Sequence, residues 1–448
     1  MPIGYTRYQS FYNIVVVAGL MTVTVLGILT AMWTTPAHRS SRYAIIATNS
    51  SEYQALIRKN TGCVKKVHIF GTFSVMKHIP EISHYMELFI KSTLPLNETG
   101  VDCMSMGYDC DISLTMGDEI NMLKGKDAVV FGLVPTQFRG EGGKQLRELV
   151  NRIPEPGQYW IYFSTESPLR VMRWTADLNL GRLKYHLLMT YDSDSDIVLP
   201  FGYYRPFNTS NKASPTQDVF QDVSTEPPVL EDPAANRKGL ISWMASNCRG
   251  FWPRVSFVRH MKELLPLDDY GRCGRSECLP KRSDVCNKLL ASYKFILSIP
   301  NTECKEYITE KFWLQSLTYG AVPVVLGSKK ETYEKLAPPN SFIHAADFGS
   351  FDELAAYLKM LDADDDKYRQ FYEWKKQGEV VLTYPTRPSV FCQAIPFMKV
   401  QRKRIPFKYL SDSPWFNGCR LPVDRRTFDL TKDEENELMF LENWTVWR

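Results

Sequence analysis

Residues 293–327 read YKFILSIPNTECKEYITEKFWLQSLTYGAVPVVLG, and this stretch decides the fold. Tyr293 to Ile299 is a short apolar run, the pattern of a buried strand. A polar loop follows, then a helical pattern from about Ile308 to Tyr319, then the apolar run Val322 to Leu326. Strand, helix, strand at this spacing is a βαβ unit, and such units build parallel sheets. Asn301, Tyr307, Thr309, Glu310 and Lys311 gather at the first strand-to-helix junction. A helix start at that place favours anions, because its N–H groups have no partners within the helix. Lys311 adds a positive charge, and Glu310 adds a carboxylate suited to sugar hydroxyls. Side by side they describe a pocket for a nucleotide sugar. The alternative is an ordinary α/β junction with a charged helix surface.

The same alternation recurs along the chain. Lys66–Phe70, Asp127–Phe131 and Tyr159–Phe163 read as strands, with a helix from Lys144 to Ile153. Gly239–Met244 is a further strand, followed by a helix from Pro253 to Leu264 and, later, another from Phe351 to Leu361. Asn208 to Arg237 is poor in apolar runs and carries Pro215, Pro227, Pro228 and Pro233, the composition of a linker. The division expected is therefore a first α/β domain over 63–235, a second over 236–390, and a tail over 391–448 that packs back on the body. A cleft between two doubly wound domains is where ligands collect.

At 448 residues the chain holds two ordinary domains with appendages. A net charge of +4 gives no pointer to nucleic acid, and Arg402-Lys403-Arg404 is read as a solvated patch. Asn13 to Trp33 is uncharged and apolar, long enough to cross a bilayer as an uncleaved signal anchor. Residues 1–12 then form a cytosolic tail, and 34–62 a polar stem. Arg7 precedes the span while Arg39 and Arg42 follow it, so the positive-inside rule does not fix the orientation. Ten cysteines and N-x-S/T acceptors at Asn49, Asn97, Asn208 and Asn443 place the body in an oxidising lumen.

Several segments resemble one family. Tyr307-Ile308-Thr309-Glu310-Lys311 and Val322-Pro323-Val324-Val325-Leu326-Gly327 are similar to the donor signature of the α-1,3-fucosyltransferases, glycosyltransferase family 10. Leu240 to Cys248 with Arg254 beyond Asn247, Asp269-Tyr270-Gly271-Arg272-Cys273-Gly274, and Glu166-Ser167-Pro168 resemble other segments of that family. So do Thr190-Tyr191, Asp194 to Ile197, Pro200-Phe201-Gly202, Ser341 to His344 and Asp347-Phe348. The matches run in order from about Glu166 to Trp374. The resemblance implies two Rossmann-like domains of the GT-B type and inverting transfer of L-fucose from GDP-fucose to a sugar hydroxyl. The expected product is an α-1,3 linkage to GlcNAc of a glycoprotein or glycolipid glycan, made at the Golgi membrane by a single-pass type II protein.

Such a reaction needs a base at the acceptor hydroxyl, charge for the leaving diphosphate, and a grip on the donor. Glu166 follows an apolar strand and is the expected base; its alternative is a surface acid before a turn-forming proline. Arg254 and Lys311 are expected on the diphosphate and Glu310 on the ribose, with Asn247, Asn301 and Tyr307 lining the donor pocket. For Tyr307 the competing reading is a buried core tyrosine. Trp174 and Tyr185 are candidates for stacking on sugar rings.

Asp192-Ser193-Asp194-Ser195-Asp196 invites a cation, yet it reads better as a loop bonding its own backbone. No cofactor is expected, with Mn or Mg at most stimulatory. Cys273, Cys278, Cys286 and Cys304 lack zinc spacing, so disulfides are expected; Cys392 and Cys419 would staple the tail, and Cys63, Cys103 and Cys110 would pair in the first domain. Two departures stand out. Ile299-Pro300-Asn301-Thr302 replaces Phe-Glu-Asn-Ser, and Asp192-Ser193 replaces the basic residue after Thr-Tyr. The first keeps open a glycan-binding scaffold that has lost catalysis. A fucosyltransferase of protein hydroxyls in the endoplasmic reticulum is the other alternative, although Trp447-Arg448 is no retention signal. If the body is luminal, Asn97, Asn208 and Asn443 carry glycans. Enzymatic deglycosylation then increases gel mobility; unchanged mobility with protease access from the cytosol reverses the orientation.

Overall fold

Every residue of Tyr293–Ser298 is buried, and a strand with no solvent face needs a neighbour on each edge and cover on both sides. The computed structural model supplies both. It describes residues 62–71, 98–133, 142–175, 178–207, 232–235, 237–248, 254–278, 283–398 and 406–419. All belong to the compact unit Glu52–Arg448.

The first strands are β1 (Cys63–Phe70), β2 (Glu98–Val101), β3 (Cys110–Gly117), β4 (Ala128–Phe131), β5 (Tyr159–Ser164), β6 (Lys184–Tyr185), β7 (Leu187–Thr190) and β8 (Ile197–Val198). Seven of them form one sheet in the order β2-β3-β1-β4-β5-β7-β8. All its pairs are parallel except β2 with β3. Helices α1 (Gly142–Asn151) and α2 (Pro168–Thr175) lead into and out of β5. After β9 (Gly202–Pro206) a second sheet collects β10 (Gly239–Met244), β11 (Leu267–Tyr270), β12 (Tyr293–Ser298), β13 (Val322–Val325) and β14 (Ile343–His344). Its order is β11-β10-β12-β13-β14, all parallel. The connections are α3 (Arg254–Leu264), α4 (Asp284–Ala291), a π-helix at Lys311–Thr318 and α5 (Lys330–Leu336); α6 (Phe351–Ala363) follows β14. The order reverses at β10, so a crevice opens between the carboxyl ends of β10 and β12, the usual ligand position in such sheets.

The strands alternate between two cores. Trp160 and Tyr162 of β5 join one cluster, while Tyr159, Ile161 and Phe163 join another. The first cluster continues through Tyr307, Phe312 and Trp313 of the second sheet's connection to Trp374, Tyr384 and Trp415 near the chain's end. The second takes in Val390, Phe391 and Ile395, so a late segment covers the first sheet. Two antiparallel ribbons add to this: β9 with β15 (Gly378–Leu382), and β6 with β16 (Lys408–Tyr409).

The expected helix from Ile308 begins later. A turn at Cys304–Ile308, with Glu306 at φ 57°, precedes it, and the helix starts at Lys311. It is also wider than an α-helix. The Ser316 and Thr318 hydroxyls donate to the carbonyls of Lys311 and Trp313, five residues back, at 2.8 Å each, which suits the π turn.

All ten cysteines pair, in five disulfides: Cys63–Cys110, Cys103–Cys392, Cys248–Cys273, Cys278–Cys286 and Cys304–Cys419. Cys103 therefore ties the loop after β2 to the late segment, and Cys419 staples the tail to the loop after β12. The bilayer span, the stem, all four glycosylation acceptors, Arg402–Arg404 and most of the linker lie outside the described residues. Among the described residues no helix is long and apolar enough to cross a membrane. Replacing Cys103 and Cys392 by serine should lower stability by about 2–5 kcal/mol, read as a lower urea midpoint. An unchanged midpoint would show that this clamp adds nothing.

Candidate active site

Glu166 leaves β5 in a tight polar turn. Its N–H donates to Ser164 Oγ at 3.2 Å, and the Ser164 hydroxyl donates to the Glu166 carbonyl at 2.9 Å. Ser167, fully buried, accepts the Arg170 amide at 3.3 Å and so starts α2. The Glu166 carboxyl thus points from a strand's carboxyl end, and it meets the second sheet's loop. Its Oε2 accepts the Tyr307 hydroxyl at 2.9 Å and, at a longer 3.4 Å, the Asn301 amide. Tyr307 is only 3% exposed; its ring lies 4.8 Å from Tyr191 and 6.1 Å from Phe201. Burial pushes the Glu166 carboxyl above its ordinary range, while Arg170, the Tyr307 hydroxyl and the Asn301 amide pull back and Glu310 pushes further up.

Arg254 opens α3 and is 2% exposed. Its guanidinium donates to the Ile299 carbonyl at 3.1 Å and the Asn247 carbonyl at 2.7 Å. It therefore ties together the exits of β12 and β10, the two edges of the crevice. Burial lowers its pKa to about 10, against the raising pull of Glu310 and Glu166, so it stays charged at neutral pH. Arg254 Nε and Asn247 Nδ2 are buried donors without a partner among the described residues. Leaving such a donor unmet costs about 1–3 kcal/mol, so both suit an anionic or oxygen-rich ligand. Other orphans, such as Gln393, lie elsewhere; these two count because they share the crevice.

Lys311 and Glu310 pair with each other at 2.7 Å, and neither is more than 17% exposed. A diphosphate would compete with Glu310 for Lys311, freeing the carboxylate for hydroxyls. Pro300 is buried and takes the space beside Gly327, where a Cβ would sit 2.8 Å from the proline ring. Gly327 also has φ 143°, so both conformation and space require glycine there.

The structure divides the expected donor residues into two groups. Asn247, Arg254, Glu310 and Lys311 stand around the second sheet's crevice. Asn301 and Tyr307 turn instead to Glu166, a contact that 135 and 141 residues of separation hide in the sequence. Arg170 was missed as well; its place one turn past the Glu-Ser-Pro segment was the available signal. Tyr185 is 2% exposed beneath the Lys408 side chain and cannot stack on a sugar. The side chain of Trp174 lies outside the described residues.

The aspartate-rich loop bonds its own backbone as expected. Asp192 accepts the Asp194 amide at 2.9 Å, and Asp196 accepts the Leu188 amide at 2.7 Å. It also docks on the turn after β12: Lys305 reaches Asp192 at 3.3 Å and Asp194 at 2.5 Å, while Glu306 takes the Ser193 amide and hydroxyl at 2.6 and 2.9 Å. Lys305 thus supplies the positive charge absent after Thr190-Tyr191.

Comparison with known proteins adds the family. Residues 234–412 match the family model described as glycosyltransferase family 10 (fucosyltransferase) C-term, and residues 82–202 match that described as fucosyltransferase, N-terminal. The chain is 34% identical over 256 residues to alpha-(1,3)-fucosyltransferase 4 of Bos taurus, covering 56% of this chain and 60% of that protein. It is 33% identical over 300 residues to alpha-(1,3)-fucosyltransferase 7 of Bos taurus, covering 66% of this chain and 76% of the relative. The solved structure of an alpha1,3-fucosyltransferase with GDP-fucose aligns at a TM-score of 0.43 and 17% identity, over 76% of this chain and 92% of that one.

The raised pKa of Glu166 has a consequence for stability. A carboxyl whose folded pKa lies above its unfolded value stabilises the fold below the unfolded pKa, and that contribution is lost as pH rises through the folded pKa. Glu166→Gln, which cannot ionise, should therefore melt higher than the native protein at neutral pH. The gain should vanish on acidification below about pH 4, the ordinary glutamate range. A variant melting lower at neutral pH, as differential scanning calorimetry would read it, contradicts the burial argument.

Proposed function

The chain belongs to glycosyltransferase family 10, the fucosyltransferases, and from that premise we propose that it transfers L-fucose from GDP-fucose to a glycan hydroxyl with inversion. The preferred product is an α-1,3 linkage to GlcNAc of a glycoprotein or glycolipid glycan. The observation that carries the reading is the Glu166 carboxyl at the end of β5, held by Tyr307 and Asn301 from the loop that leads on to Lys311. In this reading the two α/β sheets form a GT-B pair, with the acceptor on the side of β5 and the donor at the crevice between β10 and β12.

The chemistry follows from the charges. The acceptor O–H gives its proton to the Glu166 carboxylate as its oxygen bonds the anomeric carbon of fucose. The bond from that carbon to the diphosphate breaks on the opposite face, and its electron pair leaves with GDP. Arg254 and Lys311 receive the growing phosphate charge; Arg254 is pre-set by two backbone carbonyls and needs no reorganisation. Glu310 accepts from the ribose hydroxyls, and the Asn247 amide donates to the donor's oxygens. Burial raises the basicity of Glu166, which helps it take a proton from an alcohol. No cofactor enters this scheme, and Mn or Mg is assigned at most a stimulatory part. Localisation in the Golgi membrane, with one N-terminal span and a luminal body, belongs to the same proposal and rests on the uncharged run and the cysteine pairing.

The test joins binding to turnover on the luminal part, residues 63–448. GDP and GDP-fucose should raise its melting temperature comparably, and Lys311→Ala should weaken both responses; a stronger response to UDP or CMP refutes the donor. Glu166→Gln should keep donor affinity and lose about a hundred- to ten-thousand-fold in turnover. Near-native turnover in that variant refutes Glu166 as the base. Tight GDP-fucose binding without any transfer by the native protein favours the scaffold reading.

A further inference from the structure

The chain's late segment 406–419 runs past the site. It begins beside the first sheet, where β16 pairs with β6 and the Leu410 amide donates to the Leu183 carbonyl at 2.9 Å. It ends at the donor-side turn, where the Lys305 amide donates to the Gly418 carbonyl at 2.8 Å and Cys419 is bonded to Cys304. Between these anchors lies the short helix Pro414–Asn417, capped by the buried Ser413, whose hydroxyl accepts the Phe416 amide at 3.1 Å. Trp415 sits on this helix, 1% exposed, with its ring 4.9 Å from Tyr162 of β5. Its indole N–H donates to the backbone carbonyl of Glu166 at 3.0 Å.

We infer that the 406–419 strap positions the base: Trp415, held at both ends of the strap, fixes the peptide plane from which the Glu166 carboxyl projects. The inference rests on Glu166 being the base. The Glu166 carbonyl takes two donors, the Trp415 indole and the Ser164 hydroxyl. With both in place the main chain before Ser167-Pro168 has no freedom to swing. The side chain then has one direction, toward Tyr307 and Asn301. The strap's covalent end holds the turn that carries those two residues, so one segment restrains the base from its backbone and from its partners. A buried indole could instead serve only to fill the core around Tyr162. The N–H bond to Glu166 distinguishes the two roles, because phenylalanine fills nearly the same space without it.

The test uses the luminal protein and separates turnover from binding. Trp415→Phe should lower kcat by about tenfold or more, as a misdirected base does, with the donor KM within about twofold. Ser164→Ala removes the other donor to the same carbonyl and should also lower kcat. The two losses should combine to less than their product, since they act through one group. Unchanged kcat in folded Trp415→Phe overturns the inference, and so do losses that multiply in full. Should Trp415→Phe not fold, Cys304→Ser with Cys419→Ser frees the strap's end with the indole kept. It should give the same kcat loss, and native kcat there overturns the inference. The native protein is the reference: transfer by it with unaffected variants refutes the strap alone, whereas no transfer by it removes the fucosyltransferase reading and this inference with it.

Discussion

A carboxyl from one sheet and a phenol from the other meet at 2.9 Å, and much of the molecule is arranged so that they can. Neither group is at ease there. Glu166 is pushed toward its neutral form by burial, and Tyr307 is held far from ionisation by the same cause. Each accepts the position because the other satisfies it, and removing one partner would leave a buried polar group unmet. The turn that presents Tyr307 is itself costly, since Glu306 adopts a left-handed conformation that non-glycine residues avoid. That cost is offset where it arises: the Glu306 carboxylate takes both the amide and the hydroxyl of Ser193.

The second sheet poses the opposite problem, a buried cation. Arg254 is nearly sealed from water and has carbonyls for partners, with no carboxylate bonded to it among the described residues. The two carbonyls satisfy the terminal NH2 groups, leave Nε open and do not cancel the charge, so the field of the guanidinium remains available in the crevice. Lys311 is treated differently. It closes on Glu310, a pair that water partly reaches and that a competing anion can open. One cation is thus fixed and unneutralised, and the other is exchangeable. In the proposed transfer, a site that binds a diphosphate and later releases it gains from having both, because a full set of permanent contacts would hold the product as tightly as the donor.

How much of this was legible depended on the distance over which each interaction acts. The run 293–327 disclosed its strands because burial on both faces leaves a local signature, and the segments around Asn247, Arg254, Glu310 and Lys311 fell at one crevice because parallel α/β topology puts strand exits together. The helix starts later than its apolar period suggests because a turn at Cys304–Ile308, with Glu306 left-handed, precedes it, a matter of local backbone geometry and not of apolar period. The bonds of Asn301 and Tyr307 to Glu166 are invisible in the sequence, since nothing in their neighbourhood points to a carboxyl more than a hundred residues away. Trp415 lay beyond any sequence argument: its partner is a backbone carbonyl, which has no identity in a sequence. Cysteine chemistry forecast disulfides, but which cysteines meet is set by the fold alone.

The exchange of charge between two loops shows how a local oddity can be a global regularity. After Thr190-Tyr191 an acid and a hydroxyl, Asp192-Ser193, stand where a basic side chain was expected. Read locally, that change leaves a carboxylate at 1% exposure with nothing to balance it, a cost of several kcal/mol if it stayed ionised and alone. Read in space, the balance arrives from the other sheet's loop as Lys305, and Ser193 is the group that Glu306 needs. The two loops therefore form one electrostatic unit, and it adjoins the turn that presents Tyr307 to Glu166. Any change that alters the sign at Asp192 leaves Lys305 with Asp194 alone on that loop, and the Lys305 backbone amide is bonded to the strap at Gly418. The aspartate-rich loop, the turn after β12 and the strap thus meet at a single residue, Lys305.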